Sequence, residues 1–312
     1  MKIFLSSLSG VLEILLLMVL GAFLTEKGWF GEQTSKRLAR IVTQIALPAD
    51  MIVTISQKFT AATLLKTLPD LFFPIISMLL LMILSFGVSK LIHVPISHRG
   101  TFQSLFFNSN TIFIGLPVDM ALFGVKSLPY LLVYYMANTT IFWTIGTYLI
   151  QKDGNTAVRF DWKQTLRKVF SPPLLGFLFG IFMVLVDLRL PNFLMADLAY
   201  LGNLTIPGAM IFIGITIAHI GIKQLKMDRD VFAIFIGRFL IAPLLMTALI
   251  IWTPLPMMMK KVFILQAAMP AMTNAPVVAK LYGADDRFAA RVVAETTLAS
   301  IIVIPVVMTC LQ

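Results

Sequence analysis

The chain of 312 residues is 58% hydrophobic and only 13% charged, with a mean hydropathy of +0.90. Because soluble domains carry about 25% charged residues, this composition excludes a soluble protein and indicates a polytopic membrane protein. The net charge of +10 resides in short loops rather than in a basic domain, which argues against nucleic-acid binding. The single cysteine, Cys310, excludes an internal disulfide.

A helix that crosses a bilayer needs about 20 mainly apolar residues. Ten stretches meet this condition, at 5–25, 38–56, 70–92, 101–124, 128–150, 172–190, 197–220, 230–252, 260–282 and 287–310. The first stretch lacks the short apolar core and cleavage site of a signal peptide, so we expect it to be a retained span. The longest polar connection divides the chain into a first half, 1–150, a linker, 151–171, and a second half, 172–312.

The fourth and ninth predicted spans each carry small polar residues and a proline at mid-span. The fourth contains Asn110-Thr111, Gly115 and Pro117, and the ninth contains Thr273-Asn274 and Pro276. Proline lacks an N–H and clashes with the preceding turn, so we expect both helices to break there. A broken helix at membrane depth is tolerated where it is buried in protein or lines a cavity, and a matched pair of broken helices indicates a transport site.

The two halves of the chain repeat. A shift of 159 positions places Pro48 on Pro207 and Pro117 on Pro276. Each half holds five spans, which is an odd number, so the second half must be inverted relative to the first. The predicted fold is therefore an all-α polytopic membrane protein with ten transmembrane helices in two inverted five-helix repeats.

The positive charges predict the orientation of the chain. Loops after the odd-numbered spans hold seventeen of the 25 Lys and Arg residues, and the opposite side holds seven. Because an excess of Lys and Arg marks the cytoplasmic side, both termini are expected outside the plasma membrane.

The second half of a broken helix begins with free N–H groups at the positive end of the helix dipole, where anions bind. Two such ends that cross near mid-membrane would point at one small cavity. Asn110, Thr111, Thr273 and Asn274 are candidates to add hydrogen bonds at its rim. The alternative is that the prolines only kink their spans and the polar side chains bond neighbouring helices. The symmetry of the pair favours the site.

Pro48 and Pro207 form a second matched pair. They are expected either to bend the second and seventh spans around the cavity or to pack with small residues against other helices.

Charged side chains inside spans are candidate functional residues by default. In this chain they are Glu13, Asp50, Asp119, Arg238 and Glu295. Arg238 could neutralise an anionic substrate or pair permanently with Glu295 or Asp119. Asp50 or Glu295 could take up a proton during transport.

Other classes of chemistry lack their sequence signals. No Gly-rich loop followed by Lys is present to bind ATP, and no arrangement of a nucleophile and a base stands out. The histidines have no metal-ligand spacing. We therefore expect no enzymatic activity, no cofactor and no bound metal.

Several of these stretches resemble the auxin efflux carrier family. Gln266-Ala267-Ala268-Met269-Pro270, followed by Pro276-Val277-Val278, resembles the ninth-span motif of that family. Asn110-Thr111 followed by Gly115-Leu116-Pro117 resembles its fourth-span motif, and Arg238-Phe239 fits its eighth span. The resemblance covers essentially the whole chain. Because the long hydrophilic central loop of many plant members is missing, the chain is most similar to bacterial malate or malonate permeases.

The resemblance implies more than the residues themselves. Spans one, two, six and seven would form a scaffold that also makes a homodimer, and the other spans would form a mobile transport domain. Broken helices four and nine would cross at the site, and an elevator motion would carry the substrate carboxylate past the scaffold. By motif, the substrate-binding asparagine of the family falls on Asn110 and the crossover prolines fall on Pro117 and Pro276, with Gly115 in the same motif.

Together these observations predict a secondary transporter that moves a small organic anion, a carboxylate, across the plasma membrane. One alternative is a sodium-coupled organic anion symporter of the bile-acid type. Another is a membrane sensor or channel that binds the anion without carrying it. The residues do not distinguish which anion is carried, in which direction, or with which coupling ion.

Overall fold

The computed structural model describes residues 16–58, 60–62, 68–154, 172–220 and 226–310, and they form helices joined by short turns. We number the helices in chain order: α1 (Leu16–Glu26), α2 (Glu32–Ile41), α3 (Leu47–Lys58), α4 (Phe72–Leu91), α5 (Arg99–Phe107), α6 (Leu116–Phe123), α7 (Leu128–Ile141), α8 (Thr147–Asp153), α9 (Pro172–Leu185), α10 (Asn192–Gly202), α11 (Thr205–Ile220), α12 (Arg229–Ile236), α13 (Ala242–Ile250), α14 (Met257–Ala267), α15 (Ala275–Tyr282) and α16 (Asp286–Cys310).

Several of these helices are long and apolar enough to cross a membrane. Within the described ranges, five continuous helical stretches meet this criterion: Gln33–Gln57, Pro69–Leu91, Asn192–Ile215, Arg229–Ile250 and Asp286–Cys310. Shorter apolar helices cover Leu16–Glu26, Thr111–Phe123 and Leu175–Leu185. This agrees with an integral membrane protein. The start of the predicted first span, with Glu13, and most of the predicted linker lie outside the described residues, and the ten spans and their inverted repeat stay predictions.

Wide π turns precede three of the prolines inside helices. The turn Val42–Ala46 ends two residues before Pro48, and the turn Thr111–Gly115 ends two residues before Pro117. A third turn, Gly237–Ile241, ends two residues before Pro243. A π turn is wider than an α-helical turn, and it can relieve the clash between the proline ring and the preceding carbonyls. The expectation that the helix breaks at Pro117 is therefore wrong, because the chain is helical on both sides of it.

The helices pack in two groups. The first group contains α1–α3 and α9–α11, and the second contains α4–α8 and α12–α16. Apolar side chains of α1, α11, the turn Thr111–Gly115, α14 and α16 meet between the groups, and the rings of Phe113 and Phe212 lie 5.0 Å apart there. This apolar contact places the second half of the fourth predicted span directly against the first group.

Glycines allow close packing inside the first group. A Cβ at Gly176 of α9 would lie 2.6 Å from the carbonyl oxygen of Pro48, and a Cβ at Gly202 of α10 would lie 2.9 Å from the Cα of Asp50. Pro48 and Asp50 therefore lie where small residues bring helices together. Pro207 is the third residue of α11, where the helix is just beginning.

Candidate functional site

The fourth and ninth predicted spans are interrupted, and their interruptions lie in contact. α5 ends at Phe107, the chain is extended at Asn108, and helix resumes at Thr111. α14 ends at Ala267, and helix resumes at Ala275. Ser109 and Ala271 pair as an antiparallel β-bridge, and the N–H of Asn110 donates to the carbonyl of Pro270 at 2.8 Å. The two breaks thus bond to each other through their backbones.

Side chains of other helices satisfy further backbone groups at the breaks. Asn138 of α7 donates from Nδ2 to the carbonyl of Ser109 at 2.8 Å, and its Oδ1 accepts from the N–H of Ser109 at 3.0 Å. The N–H of Ala271 donates to Oγ1 of Thr296 in α16 at 3.2 Å. These bonds satisfy polar groups that would otherwise be unpaired at membrane depth. Neither Asn138 nor Thr296 was predicted from the sequence to act at the site, although an asparagine inside an apolar stretch is a signal that could have identified Asn138.

Asn110 joins the two interrupted helices through its side chain. Its Oδ1 accepts from the N–H of Phe113 at 3.1 Å and so caps the second half of the fourth span. Its Nδ2 donates to Oγ1 of Thr273 in the other break. Asn274 occupies the N-cap position of α15 but makes no capping hydrogen bond with its side chain.

A cavity of about 220 Å³ lies beside the crossing of the breaks. Its polar lining comes largely from the breaks themselves, and the other walls come from α7, the turn Val42–Ala46 with the first residue of α3, a further π turn at Phe142–Gly146, and the start of α9. The lining residues are Gln44, Leu47, Asn110, Thr111, Ile112, Phe113, Tyr135, Thr139, Trp143, Pro172, Met272, Thr273 and Asn274. None of these described lining residues is ionisable at neutral pH. Four of the residues expected at the site therefore line one cavity. Gln44, Tyr135, Thr139 and Trp143 also line it, although the sequence did not predict them at the site.

The electrostatic character of the cavity comes from the backbone. The helical segment that starts at Thr111 and the helix that starts at Ala275 both begin at this cavity. The beginning of a helix carries a partial positive charge, and here it comes from the helix dipole, because the N–H groups of Thr111, Phe113 and Ala275 are already bonded within the chain. The cavity therefore offers two positive helix ends together with amide and hydroxyl groups, an arrangement suited to an anion.

Gly115, Pro117 and Pro276 lie outside the cavity lining. A Cβ at Gly115 would lie 2.6 Å from Nε2 of Gln266, so this glycine allows Gln266 to pack against the fourth span. Pro117 follows the π turn and is buried, and Pro276 is the second residue of α15, where a missing N–H costs little. These three residues shape the two half-helices around the cavity.

Arg238 is fully buried and does not line the cavity. Its Nη2 donates to the carbonyl of Ala267 at 2.7 Å, and Nη2 and Nε donate to that of Met269 at 2.9 and 3.1 Å. The last carbonyls of a helix carry a partial negative charge, so the guanidinium neutralises the end of α14. The alternative in which Arg238 pairs with Glu295 or Asp119 is wrong, because its partners are backbone carbonyls.

The carboxylates considered earlier lie apart from the cavity. Asp50 accepts from Oγ1 of Thr54 at 3.2 Å. Asp119 accepts from Nε2 of Gln266 at 2.9 Å, and Glu295 accepts from the N–H of Lys226 at 2.7 Å. None of the three is among the residues that line the cavity.

An apolar helical protein in which two interrupted helices meet beside a small polar cavity has the architecture of a membrane transporter. The chain belongs to the auxin efflux carrier family, since the family model described as "Membrane transport protein" matches residues 6–308. The resemblance seen in the sequence is thereby confirmed at the level of the family. An uncharacterized transporter of Methanocaldococcus jannaschii is 26% identical over 300 residues, which cover 94% of this chain and 95% of that protein. Another uncharacterized transporter, from Methanothermobacter thermautotrophicus, is 26% identical over 313 residues, covering 97% and 98%.

Proposed function

We propose that this protein is a secondary transporter that moves a small organic anion, a carboxylate, across the plasma membrane. The observation that carries the proposal is the cavity at the crossing, which is lined by two positive helix ends and by no acidic side chain. A dicarboxylate such as malate or malonate is the substrate class that the family resemblance favours.

The chemistry of the lining supports an anion over a cation. The lining contains no carboxylate to neutralise a bound cation, whereas it presents two helix N-termini, which favour anions. The hydroxyls of Thr111 and Thr139 are buried without a hydrogen-bond partner among the described residues. They are therefore available to donate to a carboxylate, as is the amide of Asn274.

The packing into two groups supports an elevator motion. In this proposal α1–α3 and α9–α11 form the scaffold, through which two copies dimerise, and the remaining helices move with the substrate. The contact between the groups is largely apolar, so it can slide without breaking many hydrogen bonds. Gln44, Leu47 and Pro172, which complete the cavity, belong to the scaffold side. With both termini outside, as the positive charges predict, these residues lie toward the cytoplasm.

Saturable counterflow in proteoliposomes tests the proposal. Purified protein would be reconstituted with an unlabelled carboxylate inside, and entry of the labelled compound would be followed for malate, malonate, succinate, lactate, pyruvate and indole-3-acetate. We expect exchange with one of them, together with thermal stabilisation of the protein by the same compound, because a ligand of the folded state stabilises it by mass action. Flux without counterflow would instead indicate a channel, and binding without flux a sensor.

A further inference from the structure

Asp119 and Gln266 form a buried pair that joins the two interrupted helices. Asp119 lies in α6 and Gln266 lies at the end of α14, and both residues are fully buried. Nε2 of Gln266 donates to Oδ2 of Asp119 at 2.9 Å. The other oxygen of each group, Oδ1 of Asp119 and Oε1 of Gln266, is buried and has no hydrogen-bond partner among the described residues.

No cation compensates the Asp119 carboxyl within the described residues. The cations on the elements packed against α6 and its π turn are Lys126, His219, Lys260 and Lys261, and none of them forms an ion pair with Asp119. Lys260 donates instead to the carbonyl of Ile251 at 2.9 Å. The titratable groups of α7 are Tyr130, Tyr134 and Tyr135, and those of α16 next to the crossing are Arg291 and Glu295. None of these donates to Oδ1 of Asp119.

A bare carboxylate in this place is energetically unfavourable. Burying an unpaired charge is costly even after the surroundings relax. A protonated carboxylic acid is different, because it is neutral and gains one O–H donor. An O–H on Oδ1 of Asp119 that donates to Oε1 of Gln266 would give both unpartnered oxygens a hydrogen bond, beside the bond from Nε2 of Gln266 to Oδ2.

We infer that Asp119 is a proton-binding site, at which a proton held on Oδ1 closes a two-bond acid–amide ring with Gln266 between the two interrupted helices. Loading the site adds a proton from water to the carboxylate, and no other bond changes. Removal of the proton leaves a negative charge buried between α6 and α14. This charge is solvated only if the two helices separate or water enters between them. The protonation state of Asp119 and the packing of the crossing are therefore linked.

Infrared spectroscopy of the purified protein tests the protonation without any transport assay. A protonated carboxyl has a carbonyl stretching band that a carboxylate lacks, and this band shifts in deuterated water. We expect Asp119→Asn to remove such a band and Gln266→Leu to shift it, because the hydrogen bonds to the acid are lost. Asp197→Asn, at an exposed carboxyl of α10, should leave it in place. A spectrum that Asp119→Asn does not alter would overturn the proposal, as would a carboxylate band that responds to sodium.

Thermal unfolding provides a second test, because two different substitutions of Asp119 are expected to change the unfolding temperature differently. Asparagine can form the same ring, by donating from Nδ2 to Oε1 of Gln266, so Asp119→Asn should unfold at the wild-type temperature or above. Asp119→Ala leaves the Gln266 amide buried and unpaired, so it should unfold at a lower temperature. If both variants are destabilised equally, a charged carboxylate is required and the proton site is wrong.

The consequence for transport rests on the proposed function. If the carrier moves its substrate with this proton, an imposed pH gradient should drive carboxylate accumulation in the wild type and in Asp197→Asn but not in Asp119→Asn. If the wild type shows no counterflow, the proposed transport function is wrong. The infrared band would still test the proton site independently. If counterflow occurs but the wild type and Asp119→Asn respond equally to the pH gradient, only the proposed coupling of transport to this proton is wrong.

Discussion

The N–H of Asn110 donates to the carbonyl of Pro270 at 2.8 Å, and this bond joins the two interrupted helices at their breaks. The Asn110 side chain adds a second connection, from Nδ2 to Thr273, and caps its own helix through Phe113. Asn110 therefore has a structural task besides any contact with substrate, and a test of its binding role has to separate the two.

Asn110→Asp makes that separation. An aspartate keeps the oxygen that caps the helix at Phe113 but places a negative charge in the cavity, so we expect folded protein that no longer binds the carboxylate. Asn110→Ala also removes the cap, which costs about 1 kcal/mol. Thermal stabilisation by ligand, measured beside the unfolding temperature without ligand, separates binding from stability. Ligand stabilisation of Asn110→Asp at the wild-type level would contradict the placement of the anion at the crossing.

Arg238→Leu should strongly destabilise the fold. The substitution leaves the carbonyls of Ala267 and Met269 buried and without their cationic donor. Hydrogen bonds to charged groups contribute about 1.5–3 kcal/mol each, so a loss above about 3 kcal/mol is expected in the free energy of unfolding. The control is Arg189→Leu, whose side chain is 85% exposed. Similar unfolding curves for the two variants would rule out a stabilising role for Arg238 at the end of α14.

Asn138→Leu should loosen the break in the fourth span. Both the N–H and the carbonyl of Ser109 lose their partner, and an unsatisfied buried polar group costs about 1–3 kcal/mol. The exposed neighbour Thr140→Leu serves as the matched control in the same helix. Hydrogen exchange of the Ser109 amide reports the change directly, and we expect it to accelerate in Asn138→Leu alone. Unchanged protection would mean that other contacts hold the break.

Gly115→Ala should be destabilising, whereas Gly87→Ala should not. The new methyl group at position 115 would overlap the Gln266 amide, and overpacking a buried site costs about 1–3 kcal/mol. At Gly87, inside α4, the added carbon has no atom within 4 Å apart from its chain neighbours and the nearby backbone of its own helix. Replacing a glycine inside a helix by alanine stabilises the helix by about 0.5–1 kcal/mol. We expect the unfolding temperature to fall in Gly115→Ala and to rise in Gly87→Ala. Equal shifts in the two variants would contradict close packing of Gly115 on Gln266.

Asp153, beyond the end of the predicted fifth span, should make stability depend on pH. Its carboxyl accepts from the N–H groups of Gly100 and Thr101 at 2.8 and 2.6 Å, yet burial raises its pKa above 3.8, the ordinary value of an aspartate. The folded state therefore holds this proton more tightly than the unfolded state. Its contribution to stability is complete below pH 3.8 and declines as the pH rises through the raised pKa. The measurement is a series of unfolding temperatures from acidic to neutral pH. The decline that Asp153 causes should be absent from Asp153→Asn and present in Asp197→Asn.

The amino-acid sequence by itself determined the class of protein and the pair of stretches that matter. Membrane insertion follows from composition, since about 20 consecutive apolar residues leave few alternatives. The polar residues Asn110, Thr111, Thr273 and Asn274 stand out against an apolar background, which is why they could be found without a structure. The resemblance of their motifs also pointed to the family that the comparison with known proteins confirms.

The tertiary structure decided where the helices break and how the buried charges are satisfied. A proline marks a local constraint, but a π turn absorbs Pro117 and the break lies at Asn108–Asn110, where Asn138 and Pro270 supply partners from distant parts of the chain. Arg238 bonds to carbonyls 29 and 31 residues further along the chain rather than to a carboxylate, and Asp119 bonds to Gln266, 147 residues away, because neighbours in space determine these bonds. Local sequence pattern carries no information about such pairs, since the burial that makes them necessary arises only when the helices pack.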